Sequence, residues 1–152
     1  MTMRIGLIAL LSVVAAGLLS ACSGTRPANL GMQDDGRLAP CPDKPNCVSS
    51  LAPADDQRHY IAPLNADDNA WLRLNLLLTQ TPRMEIIQKE GNYLRAEATT
   101  RVMGFVDDLE FLYHPEQSTI HVRSASRLGH SDLGANRRRL ESLRSDLRDT
   151  AL

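Results

Sequence analysis

Between Met84 and Ser124 the chain alternates apolar and polar residues in four runs divided by two turn signals. A period of two marks strands with one face turned to a core, and it commits this part of the chain to an antiparallel sheet. Met84 to Lys89 and Tyr93 to Arg101 flank Glu90-Gly91-Asn92, a three-residue hairpin loop whose glycine accepts a positive φ. In that register Met84, Ile86 and Gln88 share a core face with Leu94, Ala96 and Ala98. Glu85, Ile87 and Lys89 lie with Tyr93, Arg95 and Glu97 on the other face. Val106 to Tyr113 and Ser118 to Ser124 flank His114-Pro115-Glu116-Gln117, where the proline presets the bend. Pairing Tyr113 with Ser118 sets Phe111 opposite Ile120 and Leu109 opposite Val122. It also sets Glu110 opposite His121 and Asp108 opposite Arg123, charge-complementary pairs contributing roughly 0.2 to 1 kcal/mol each. Asp108 and Glu110 share a face, as metal ligands or an acid/base pair would, but neutralisation by Arg123 and His121 is a sufficient reading.

Helical periodicity brackets these strands. Asp67-Asp68-Asn69 precedes a run in which Trp71, Leu74, Leu77 and Leu78 recur at helical spacing, so a first helix is expected from Asp67 to Thr79, stopped by Thr81-Pro82. A second is expected after Ser131-Asp132, capped by Ser131, with Leu133, Leu140, Leu143 and Leu147 on one stripe and an end near Asp149. Asn136 falls on that stripe. A buried amide left without partners costs on the order of 1 to 3 kcal/mol, and Ser124 and Ser126 on the adjoining strand are the natural partners. The basic residues Arg137, Arg138, Arg139, Arg144 and Arg148 are expected mostly as solvated helix surface. The fold class is therefore α+β: a four-stranded antiparallel sheet of two hairpins, with an N-terminal and a C-terminal helix packed on one face.

The N-terminus is of another kind. Arg4 precedes an apolar run from Ile5 to Leu19, and Leu19-Ser20-Ala21-Cys22 closes it with small residues before a cysteine. Residues 1–21 read as an export signal, with an uncleaved anchor as the alternative. The tetrapeptide resembles the bacterial lipobox, which implies acylation of Cys22, anchoring to a lipid membrane and a periplasm-facing place in the cell envelope. Ser23 after the cysteine favours the outer membrane by the same resemblance. Residues 22–39, rich in Gly, Pro, Asn and Asp, are expected as a flexible tether, and residues 40–152 as a single domain. With Cys22 acylated, Cys41 and Cys47 remain as an even pair in an oxidising compartment, and a small disulfide loop is expected of Cys41-Pro-Asp-Lys-Pro-Asn-Cys47. A metal site would need further ligands nearby, and a redox pair would more commonly be spaced Cys-x-x-Cys. No metal or cofactor is assigned.

Three stretches together carry a resemblance: Cys41-Pro-Asp-Lys-Pro-Asn-Cys47-Val-Ser-Ser50, Asp107-Asp108-Leu-Glu110-Phe, and the run from Arg123 through Asn136 to Arg139. The chain resembles the DUF1499 family, a group of domains of unknown function, from about Leu38 to the C-terminus. The resemblance implies no reaction, ligand or catalytic residue.

With 17 basic and 18 acidic side chains, no global field attracts nucleic acid, and any anion site must be local. The sequence places one at the strand-to-helix junction 123–137, with Arg123, Arg127, Ser131, Asn136 and Arg137 as candidate contacts for a small anionic or polar ligand. The function expected is a non-catalytic binding or assembly module of the envelope, of open oligomeric state. In the assembly version a sheet face carrying Ile87 and Tyr93 meets an envelope protein. The alternative is an envelope hydrolase using Ser124, Ser126, Ser131, His121, His130 and Asp132. Neither a Gly-x-Ser-x-Gly elbow nor a metal-ligand helix motif supports it, and in an extended strand His121 faces away from Ser124 and Ser126.

Overall fold

The computed structural model describes residues 24–67 and 69–149, so residues 1–21, expected as an export signal, and Cys22 lie outside the described residues. One antiparallel sheet of six strands is joined by two helices. In chain order these are β1 (Cys47–Ser49), β2 (Leu64–Asn65), α1 (Ala70–Gln80), β3 (Met84–Glu90), β4 (Tyr93–Thr99), β5 (Val106–His114), β6 (Thr119–Ser126) and α2 (Ala135–Asp149). β3 to β6 are laid side by side in sequence order, and β1 and β2 share the remaining edge of β6. The sequence predicts four strands. The two others are only three and two residues long, too short to display a period, and they supply backbone partners to an edge that would otherwise lack them.

Both hairpins depart from the expected registers for local reasons. The β3–β4 turn is the two residues Gly91-Asn92, with Glu90 opposite Tyr93 and Gly91 at φ 54°. A bulge between Ile86 and Gln88 inserts the missing residue, so Met84 and Ile86 still meet Ala98 and Ala96 as expected. Gln88, beyond the bulge, is opposite Arg95 and not Leu94. In β5–β6 a 3-10 turn over Pro115–Gln117 is followed by Ser118 at φ 48°, and His114 pairs with Thr119. The register is thus two residues from the expected one. A shift of two keeps every side chain on its face but changes its partner. Glu110 lies opposite Arg123, Leu112 opposite His121, Asp108 opposite Ala125, Phe111 opposite Val122 and Leu109 opposite Ser124. The expected pairs Asp108 with Arg123 and Glu110 with His121 do not form.

The inner face of the sheet carries the apolar core. Leu94, Ala96, Leu109, Phe111, Ile120 and Val122 join Leu74 and Leu78 of α1 and Leu140, Leu143 and Leu147 of α2 in one buried cluster. Trp71 stacks on Tyr113 at 5.5 Å between ring centroids. α1 starts at Ala70, because Asp67 first makes a turn by accepting the Asn69 backbone N–H, and it ends at Thr81 before Pro82. α2 starts later than expected. Leu133 stands at φ 53° and is 84% exposed, so it leaves the stripe that the other three leucines form. The cap is Asp132, whose carboxylate accepts the N–H groups of Gly134 and Asn136, while Ser131 accepts only that of Leu133 in the preceding turn.

The disulfide between Cys41 and Cys47 is formed, with 5.6 Å between Cα atoms. It holds the start of β1 against β6, where Cys47 lies opposite Ala125. The stretch expected as a tether makes tertiary contacts from its first described residues. Arg26 pairs with Glu97, the Gly31 N–H donates to Glu110, and Leu38 and Ala39 are buried. The reason is the outer face of the sheet, which is covered by this strap and not left to water.

Candidate functional site

The outer face is built from alternate residues of three strands. Tyr93, Arg95 and Glu97 of β4, Asp108, Glu110 and Leu112 of β5, and Arg123 of β6 project to the same side, and Arg127 follows just beyond the strand. Arg95, Asp108, Glu110 and Arg123 are all buried. Ions taken from water are retained only when paired, and these are. Arg127 grips Asp108 with two parallel bonds of 2.8 Å and also reaches Glu97. Arg123 donates to Glu110 at 2.9 Å, and the other oxygen of Glu110 accepts the Tyr93 hydroxyl at 2.9 Å and the Gly31 N–H at 2.7 Å. Arg95 lies 3.2 Å from Glu97 and 3.5 Å from Asp108.

Protonation follows from these contacts. Burial would raise the Glu97 carboxyl, but hydrogen bonds from Arg26 and Arg127 outweigh it and hold the group below the usual carboxylate range. The hydrogen bonds and charge of Asp108 make Arg127 hold its proton more firmly than an ordinary arginine, against the opposing effect of burial. Burial, and then the charge of Glu110, push the Tyr93 hydroxyl well above its ordinary value, so it remains a donor. Glu97 and Arg127 are therefore charged, and Tyr93 neutral, at neutral pH.

Beside it runs a groove of about 640 Å³. The strap forms one wall through Pro27 and Asn29, the disulfide loop forms another through Pro42, Lys44 and Asn46, and the floor is the end of β6 from Arg123 to Gly129. Two residues of its lining each hold a buried polar atom with no partner among the described residues: the Nε of Arg123 and the Oδ1 of Asn46. The orientation of the Asn46 amide is fixed, because its Nδ2 donates to the carbonyls of Ser126 and Gly129. Every charged side chain lining the groove is basic; the carboxylates of the outer face lie behind the arginines.

The candidate residues named from the sequence do not meet at one point. Arg123 and Arg127 line the groove. Asn136 is on the opposite face, fully buried, accepting the Ser124 hydroxyl at 2.6 Å and donating to Ser126 Oγ at 3.0 Å and to the Asn46 carbonyl at 3.1 Å. The expected serine partners are thus the observed ones. Arg139 adds a bond to Asn136 and pairs with Asp107 at 2.6 Å, which closes this inner polar island. Arg137 donates to the carbonyls of Gln57 and Arg58, and Arg144 to those of Ala62 and Pro63, so these arginines clamp the β1–β2 connection to α2 and are not merely solvated surface. Ser131 is exposed at the turn before the helix. Tyr93, expected on a partner-facing surface, is 3% exposed and packs with Leu38 and Leu112.

The hydrolase reading finds no assembled site at this junction. Ser124 and Ser126 serve Asn136, Ser131 accepts a backbone N–H, and Asp132 caps α2. His121 faces the other side of the sheet, where its Nδ1 lies 3.1 Å from Ser50 Oγ. That hydroxyl also accepts the Val122 N–H, which makes it part of the β6 edge. Among the described residues no group of three or more His, Cys, Asp or Glu could hold a metal ion.

Residues missed by sequence reasoning are Arg95, Glu97 and Asn46, together with the strap. Arg95 and Glu97 were legible as outward positions of β4, but their partners depend on the register of β5. Asn46 carried no signal beyond its place before Cys47.

A six-stranded antiparallel sheet with two helices, one apolar face and one ionic face, defines a mixed α/β domain. Residues 37–147 match the family described as a protein of unknown function (DUF1499), and the chain belongs to that family. Comparison with curated proteins and with solved structures finds no match.

Proposed function

We propose that this protein is a lipid-anchored lipoprotein of the bacterial cell envelope, facing the periplasm and more specifically on the outer membrane, that works as a non-catalytic binding module. The groove between strap, disulfide loop and β6 is its ligand seat. The observation that carries the binding reading is the lining of that groove: Lys44, Arg123 and Arg127 supply positive charge, and the walls are held by a disulfide and by prolines. A concave site with a rigid apolar frame and a few fixed polar groups is the usual form of a small-molecule seat. Anchoring is supported by Leu19-Ser20-Ala21-Cys22 at the end of an apolar leader. Gly24 packs against Arg127 and Leu128, two residues from Cys22, so an acyl chain on Cys22 would hold the groove close to the bilayer surface. Of the five candidate contacts, the proposal keeps Arg123 and Arg127, which line the groove, while Asn136 and Arg137 support the frame and Ser131 holds the turn before α2.

Two measurements test this. Cells fed labelled palmitate should label the wild-type chain and not Cys22→Ala, and the variant should leave the membrane fraction; equal labelling would end the anchoring proposal. The full chain extracted from membranes in mild detergent should carry a small molecule that an Ala125→Leu variant, with the groove floor filled, does not carry. Identical small-molecule content in the two would remove the groove as the seat.

A further inference from the structure

The two unpartnered atoms on residues lining the groove say more than that something binds there. An Nε–H left buried without an acceptor and an amide oxygen left buried without a donor each cost free energy that a suitable ligand would recover. Arg123 is 3% exposed, its Nη1 donates to Glu110, and its buried Nε–H has no acceptor among the described residues. That N–H belongs to the fork which guanidinium offers to carboxylate and phosphate oxygens. Asn46 is 4% exposed and cannot rotate its amide to hide the oxygen, because Nδ2 is held by two carbonyls.

Charge points the same way. On the outer face four guanidiniums, those of Arg26, Arg95, Arg123 and Arg127, oppose three carboxylates, those of Glu97, Asp108 and Glu110, and Lys44 adds a further positive charge at the groove. The three buried guanidiniums are matched by the three carboxylates, so the surplus is carried at the margin of the face by the half-exposed Arg26 and by the exposed Lys44, and one anionic group on a ligand would balance part of it. The lining also includes Pro27, Pro42, Ala125 and Leu128, which suit an apolar stem.

Resting on the reading of the groove as a ligand seat, we infer that its ligand is a small oxyanion with an adjacent hydrogen-bond donor: a carboxylate or phosphate, accepted by Arg123 with help from Lys44, on a short stem whose N–H or O–H donates to Asn46 Oδ1. An N-acylated amino acid or peptide terminus has this pattern, and so does a glycerol phosphate. They share one chemistry, and the experiment separates them.

The full chain in non-ionic detergent, with nitrogen labelling, should be titrated with N-acetylalanine, with glycerol 3-phosphate, and with the uncharged N-acetylalaninamide, each up to about 10 mM, a range that reaches millimolar dissociation constants. The expected result is a saturable shift of the Arg123 Nε–H and of the backbone amides from Ala125 to Gly129 with one or both anions, at least ten times weaker with the uncharged amide. The stronger anion identifies the carboxylate or phosphate source. Lys44→Glu, an exposed position, should weaken the response several-fold, and Ala125→Leu should abolish it while thermal unfolding shows both variants folded. If the uncharged amide shifts the same resonances as strongly as the anions, the groove is a seat but the oxyanion assignment is overturned. If no probe shifts them, or if Ala125→Leu responds as the wild type does, both the assignment and the seat are overturned.

Discussion

The two faces of this sheet are both closed to water, but by opposite chemistry. The inner face is leucine, phenylalanine and valine packed under two helices, with one polar island at Asn136. The outer face is a lattice of arginines and carboxylates under a strap that has no regular secondary structure. Apolar packing is tolerant of small errors, because dispersion and hydrophobic burial do not depend on direction. An ionic lattice is not: each charge is bearable only while its partner is in place. The inner face therefore sets how stable the domain is, and the outer face sets how narrowly its shape is specified and where unbalanced charge is left for a ligand.

This contrast can be broken most severely at Glu110. Glu110→Ala strands the buried Arg123 guanidinium, the Tyr93 hydroxyl and the Gly31 N–H together, and should cost about 3 to 5 kcal/mol, the range for breaking a buried pair from one side. Urea unfolding measures it, and a loss below that of an ordinary surface substitution would mean that the outer face is not the constrained one. Leu140→Ala on the inner face should cost about 2 to 5 kcal/mol, with the cost set by how far the cavity collapses. Next, Asn136→Ala should cost about 1 to 3 kcal/mol by freeing Ser124, Ser126 and the Asn46 carbonyl. It should also weaken Arg139's hold on Asp107, which a double variant with Asp107→Asn would reveal as non-additivity.

The smallest effects concern the margins of the outer face. Arg26→Ala removes a half-exposed partner of Glu97 and should cost less than about 1 kcal/mol globally. Even so, it should speed hydrogen exchange of the Gly31 amide, because the strap is lost before the sheet. His121 sharpens the comparison through pH. Burial, followed by the nearby positive groups His114 and Arg37, lowers its pKa from 6.5, so the folded protein resists a proton that the unfolded chain accepts. Its contribution is therefore absent as a penalty above the unfolded value and grows as pH falls from 6.5 toward the lowered folded value. His121→Gln should flatten the stability profile in that window, and an unchanged profile would exclude His121 as its source.

Much of this architecture was legible in the chain. The alternation from Met84 to Ser124 named the four long strands and their faces, because side-chain period is a local property of an extended backbone. Asn136 interrupting a leucine stripe pointed correctly to Ser124 and Ser126 for the same reason. The pairing of individual charges was not legible, since Ser118 in a left-handed conformation after a 3-10 turn moves the register by two residues and no periodicity reports a loop's length. Arg123 was consequently assigned to Asp108 when it belongs to Glu110.

What the sequence by itself determined is the four long strands of the sheet and their faces, the presence of two helices and the cysteine pair, which follow from local spacing and composition. Tertiary structure alone decided that residues 24–39 lie across the outer face, that β1 and β2 complete the edge of β6, and that Arg123 and Asn46 come together in one groove. Those decisions depend on charges and backbone groups finding partners at sequence separations of 79 and 83 residues, and only folding brings such partners within reach.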